Sequence, residues 1–177
     1  MDSATIDQLV QKWAAHWSAQ LAVPVDAGLV RAIIRVESSD NPNAIANEPN
    51  GHKSYGLMQL LDTTAAGLGF TGDPRGLLVP DVNISLGVRY LAQLVQRYGD
   101  QGTAAVVSAY NGGRPLHSGD GFVNQVYVAR VLAAFSQFGS RVVKAVEASP
   151  GGGLPFLLAA ALLLVYLTSR RRGRRLR

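Results

Sequence analysis

The chain has 177 residues, 17 of them basic and 12 acidic, no cysteine, and a formal net charge of +5. That length allows one modest domain with a real hydrophobic core plus appendages, and the missing cysteines exclude disulfides, thiolate chemistry and cysteine-based zinc sites. Six arginines sit in "RRRGRRLR" at residues 170–177, leaving 11 basic and 12 acidic groups in residues 1–169, so the body has no charge reason to bind nucleic acid.

The opening "MDSATID" is acidic and lacks a basic segment followed by an apolar run, so no secretory signal is expected there. Ile6, Leu9, Val10, Trp13 and Trp17 predict an amphipathic helix ending before Pro24, and Asp26 is placed to cap the next one. In "AGLVRAIIRVES", Val30, Ile33, Ile34 and Glu37 follow the i, i+3, i+4, i+7 spacing of one helix face, while Arg31 and Arg35 fall off it. An acid on an oily face is costly to ionise, because desolvation penalises the charge or raises the pKa. Glu37 is therefore the first candidate functional residue, against a helix-end acid paired with Arg130 or Arg35.

Residues 40–55 read as a loop with room for a short hairpin, and residues 56–68 as a helix punctuated by "GFTGDPRG". "PDVNISLGVRYLAQLVQRYGD" predicts a long helix with Asp81 or Asn83 as cap and Gly99 past its end. Its inner stripe is Gly87, Leu91, Leu94, Val95 and Tyr98, with Gly87 admitting a close neighbour. A short helix over 102–110 ends at "NGG", and a longer one from near Gly121 carries Phe122, Val126, Val131, Phe135 and Phe138. Strand signals are nearly absent, so the expected body is all-α with at most a minimal β-hairpin. After the "EASPGGG" break, the uncharged residues 151–169 span about 24–28 Å as a helix, close to a hydrocarbon core of about 30 Å. Flanking arginines can snorkel to cover the difference. We expect one C-terminal transmembrane helix over 154–169; a terminal core helix would crowd six arginines together without acidic partners.

Four motifs then stand in order: "ES" at Glu37 and Ser38, "GLMQ" ending at Gln59, "AYNGG" with Tyr110 and Asn111, and "VYVARVL" with Tyr127. With the intervening "NISLGVRYL", the set resembles the soluble lytic transglycosylase domain, a lysozyme-like, helical fold acting on peptidoglycan, over about residues 22–135. The resemblance implies that Glu37 is the single catalytic acid/base and that Gln59, Tyr110 and Asn111 shape the N-acetylmuramic acid site. It implies too that Tyr127 reaches the catalytic carboxylate and that Ser38 matches the serine after the acid. Relatives often place a serine nine residues beyond the acid, where this chain has Ala46 beside Asn47, and "AYNGG" replaces the commoner "AYNAG".

Glycosidic cleavage needs a proton donor at the leaving oxygen, and an apolar setting keeps that donor protonated. Hydrolases usually add a second carboxylate; Asp40, Glu48, Asp62 and Asp73 are the candidates, and none shares a motif with Glu37. A lone acid suits a route without water, giving 1,6-anhydro-muramic ends. The alternatives are a hydrolytic muramidase on the same site and a non-catalytic glycan-binding or structural membrane protein. His16, His52 and His117 lack metal-ligand spacing, so no metal or cofactor is expected.

The expected organisation is an N-terminal helix over 1–21, a catalytic domain over 22–138, a helix end and Gly-rich linker over 139–153, the span, and the arginine tail. Positive residues stay inside, which turns the catalytic domain toward peptidoglycan in the periplasm. With no export signal, two routes remain: the span directs translocation, or the protein is a membrane or internal component of a phage virion that opens the wall during genome entry. Expected partners are glycan strands, the membrane, anionic lipid or nucleic acid at the tail, and virion or envelope assembly partners.

Overall fold

The computed structural model of the chain describes residues 1–119 and 121–147. The chain divides into two units, Met1–Arg141 and Val142–Arg177, and the features below belong to the first, apart from residues 142–147 at the end of the last helix. The expected membrane span and arginine tail lie outside the described residues, as do residues 148–153 of the expected linker. Among the described residues no helix is long and apolar enough to cross a membrane.

Helix α1 (Ser3–Leu21) starts at Asp2, whose side chain accepts from the Thr5 N–H. Helix α2 (Ala27–Ser38) starts at Asp26, which accepts from Gly28 and Leu29 N–H groups and so satisfies donors that the helix itself cannot. A three-stranded antiparallel sheet follows, β1 (Ile45–Asn47), β2 (Lys53–Tyr55) and β3 (Leu60–Leu61), in the order β1-β2-β3. Short α3 (Asp62–Gly67), long α4 (Pro80–Tyr98) and α5 (Thr103–Gly112) come next. A two-residue ribbon, β4 (His117–Ser118) with β5 (Gly121–Phe122), precedes α6 (Gln125–Glu147).

The main core joins Ile6 and Val10 of α1, Val30, Ile33 and Ile34 of α2, Ile84, Val88 and Leu91 of α4, Val106 and Val107 of α5, and Val131 of α6. Helix α1 thus packs into the same core as the rest of the unit. A second, smaller cluster of Tyr55, Ala65 and Leu77 lies with the sheet.

The body is mostly helical, yet its β-structure exceeds a minimal hairpin. Residues 56–68 are not one helix: Gly56 has φ +73° and Gln59 φ +43°, both outside the right-handed helical region. The segment makes a turn, then β3, then α3. The last helix begins at Gln125 because the β4–β5 ribbon takes Gly121 and Phe122. Neither expected cap holds α4, which starts with Pro80 behind Val79. Asp81 instead accepts from Lys12 and Trp13, and Asn83 is fully buried. Arg31, placed off the buried face by spacing, is 4% exposed; pairing with Asp7 and Asp40 satisfies its charge. Gly87 does admit a close neighbour, the Met58 side chain.

Candidate active site

Val30, Ile33 and Ile34 are completely buried, so the face they share carries Glu37 toward the interior at the last turn of α2. There its carboxylate leaves the core and enters a cleft of about 670 Å³ between α2, the sheet and α5. The Tyr127 hydroxyl, brought by the first turn of α6, donates to Glu37 Oε1 at 2.6 Å. Burial pushes the Glu37 pKa from an ordinary 4.5 to about 7; the Tyr127 bond opposes the rise, the negative charge of Glu48 adds to it, and the Arg130 charge works against it. Glu37 makes no ion pair among the described residues, and Arg35 binds Asp40 instead. A carboxyl group with that pKa can hold a proton near neutrality, give it up and take one back.

Gln59, Tyr110 and Asn111 line the same cleft as Glu37. The "GLMQ" turn is held from below by the Asn83 amide, which accepts from Met58 N–H at 2.8 Å and donates to the Tyr55 and Leu77 carbonyls at 2.8 and 2.9 Å. Gly56 is required at that turn, since a Cβ would lie 2.6 Å from Asn83 Nδ2 and 2.7 Å from the Leu77 carbonyl. Gln59 Nε2 donates to the Ala44 and Gly56 carbonyls, which leaves Oε1 as the atom offered to a ligand. The Tyr110 hydroxyl donates to the Met58 carbonyl at 2.9 Å, so Tyr110 presents ring rather than hydroxyl, packed 5.4 Å from the Tyr90 ring. Burial first, then the Glu37 charge, raises the Tyr110 pKa well above normal.

Asn111 is oriented by Asn124, which the motifs do not contain. Asn124 Nδ2 donates to the Ser108 carbonyl at 3.0 Å and to Asn111 Oδ1 at 2.9 Å. A backbone carbonyl can only accept, so the Asn124 amide is fixed in orientation, and with its oxygen engaged Asn111 offers its NH₂ to a ligand. Ser38 stands apart: its hydroxyl donates back to the Ile34 carbonyl, and it does not line the cleft. Ala46 lines the cleft together with Glu48 and Ser54. Of the other acids, Asp40 is bound to Arg31 and Arg35, Asp62 to His52, and Asp73 caps a turn through Arg75 N–H. Among the described residues no group of three or more His, Asp or Glu could hold a metal ion.

Asn124 and Glu48 lie outside the motifs, and Asn83, which opens "NISLGVRYL", is marked by the sequence only as a candidate helix cap. Asn83 and Asn124 act across 25 and 16 residues of sequence, a separation that local periodicity does not register.

A model of the family described as the transglycosylase SLT domain matches residues 15–118. A transglycosylase of Enterobacteria phage PRD1 is 36% identical over 104 residues, covering 59% of this chain and 36% of its own length. The membrane-bound lytic murein transglycosylase C of Edwardsiella ictaluri is 39% identical over 102 residues, covering 50% of this chain and 27% of its own length. The chain therefore spans only about a third of the curated relatives it matches. Among solved structures, an inactive mutant of the lytic transglycosylase Slt from Pseudomonas aeruginosa superposes with a TM-score of 0.53 at 23% identity, covering 75% of this chain and 24% of that one. At that identity the likeness speaks for the fold.

Proposed function

The chain belongs to the transglycosylase SLT family, and on that premise we propose that it is a peptidoglycan lytic transglycosylase with Glu37 as the acid/base of that reaction. The observation that carries the reading is Glu37 itself, held in the cleft under the Tyr127 hydroxyl with its pKa pushed to about 7. Glu37 gives its proton to the oxygen joining N-acetylmuramic acid to N-acetylglucosamine, and the bond from that oxygen to the muramic C1 breaks. The substrate's acetamido oxygen covers C1 as positive charge develops. Glu37, now a carboxylate steadied by Tyr127, takes the proton of the muramic C6 hydroxyl, whose oxygen closes on C1. The product is a 1,6-anhydro end, and this route consumes no water.

The remaining cleft residues bind. Tyr90 and Tyr110 offer apolar ring surface to a sugar, Gln59 an acceptor, and Asn111 a donor. Ser38 serves at one remove, at the end of the catalytic helix. The C-terminal segment anchors the protein in a membrane with this domain facing peptidoglycan, and the setting we favour is a phage particle that opens the wall during genome entry. A phage relative and a relative named membrane-bound support that setting; the arginine tail then rests on anionic lipid.

Mass spectrometry of muropeptides released from purified sacculi tests the reaction. Anhydro-muramic ends are expected from the wild type, and Glu37→Gln is expected to lower their release by about a hundredfold to ten-thousandfold, the usual effect of losing a general acid. Undiminished release by Glu37→Gln would remove Glu37 from the chemistry. Finding the protein in bacterial inner membranes but never in particles would remove the phage setting alone.

A further inference from the structure

The wall of the cleft formed by the sheet carries a second carboxylate. Ala46 of β1 faces Ser54 of β2, and Ser54 faces Leu61 of β3. Cross-strand partners share a face of the sheet, and Glu48, two residues beyond Ala46, resumes that face. All four residues line the cleft that Glu37 enters. Glu48 is fixed at both ends. Its N–H donates to the His52 carbonyl at 2.9 Å across the loop, and the Ser54 hydroxyl, on a residue only 6% exposed, donates to Glu48 Oε1 at 2.7 Å.

One oxygen of Glu48 is thus engaged by the protein and the other is left for the cleft. Among the described residues Glu48 has no cationic partner. A second negative charge beside Glu37 raises the cost of ionising Glu37, which is an unfavourable place for an acid that serves only the fold. Ala46 contributes a methyl group to the same wall.

We propose that Glu48 is a second catalytic residue, which binds a water in the cleft and lets this chain hydrolyse as well as transglycosylate. The inference rests on the transglycosylase reading of the same site. In the hydrolytic branch Glu37 again protonates the leaving oxygen and the C1–O bond breaks. The water oxygen bonds to C1 and its proton passes to the free oxygen of Glu48. The product carries a hydroxyl at C1, a reducing end, and one water is consumed. Glu48 loses its proton to solvent, and Glu37 regains one from solvent. The two branches share the acid and differ in which oxygen reaches C1.

The test is digestion of sacculi by the full chain in ¹⁸O-labelled water, with mass spectrometry counting labelled reducing ends against unlabelled anhydro ends. Wild type is expected to release both kinds. Glu48→Gln, which keeps the shape and the Ser54 contact, is expected to lower the ratio of reducing to anhydro ends at least tenfold, and Glu48→Asp, with a shorter reach, to give an intermediate ratio. Anhydro ends alone from the wild type, or an unchanged ratio in Glu48→Gln, would overturn the role of Glu48 and leave the transglycosylase reading standing. No cleavage by the wild type, or full cleavage by Glu37→Gln, would overturn the transglycosylase reading itself and this inference with it.

Discussion

Glu37 loses its proton only at a cost to the fold. Its folded pKa of about 7 lies above the 4.5 of an ordinary glutamate, so between those values the folded chain holds a proton that the unfolded chain has lost. Stability therefore falls as pH rises through that window, and the full penalty is present above pH 7. A shift of this size corresponds to roughly 3 kcal/mol. Glu37→Gln should accordingly unfold at higher temperature than wild type at pH 8 and at nearly the same temperature at pH 4, as thermal unfolding by circular dichroism would report. Activity should fall on the alkaline side with an apparent pKa near 7. Tyr127→Phe removes the hydrogen bond that holds the Glu37 pKa down, so the alkaline limb should move to higher pH while the rate drops about tenfold to a hundredfold. A pH–rate profile of the two proteins decides this. Glu37 could be picked from spacing because it breaks the helix's own apolar rule. Asn83 could not, since a buried amide looks like any surface asparagine until its three backbone partners are in view.

The elements that carry the site are held by a few buried polar groups. Asn83 of α4 supports the turn that ends in Gln59, and Gln59 itself adopts φ +43° there, a conformation that costs free energy and persists because its surroundings enforce it. Asn83→Ala leaves the Met58 N–H and two carbonyls unpaired and should destabilise the protein by about 3 kcal/mol or more. Denaturant midpoints would measure it. Gly56→Ala should cost a similar amount, since the added methyl meets backbone and a pinned amide. The guanidinium of Arg31, clamped to Asp7 of α1 and Asp40 beyond α2, ties α2, the helix that carries Glu37, to its neighbour. Arg31→Ala leaves Asp40 with Arg35 as its cation and opens a cavity where the buried Arg31 side chain packed, so it should cost about 2–5 kcal/mol, whereas Arg31→Met, which refills that space, should cost less. Propensity predicts one helix over residues 56–68 because Leu, Met and Gln are helix formers. Left-handed turns at Gly56 and Gln59 override that preference.

Across the whole molecule, α1 belongs to the same compact unit as the site, Met1–Arg141. Ile6 and Val10 are 0% and 1% exposed, so removing residues 1–21 would open the main core to water. Burying a large aliphatic side chain contributes about 1.5–3 kcal/mol, and losing several at once should leave a chain with no cooperative thermal transition. A fragment of residues 1–141 should instead melt cooperatively and retain activity on sacculi. The amino-acid sequence by itself determined the mostly helical character, the buried placement of Glu37 and the family, because each is written in short-range spacing and in an ordered set of motifs. Tertiary structure alone decided that Asn124 turns Asn111, that Ser38 stays out of the cleft and that Glu48 enters it. Those relations join residues far apart in the chain, and only packing fixes which side chains share a space and which atoms are left for a ligand.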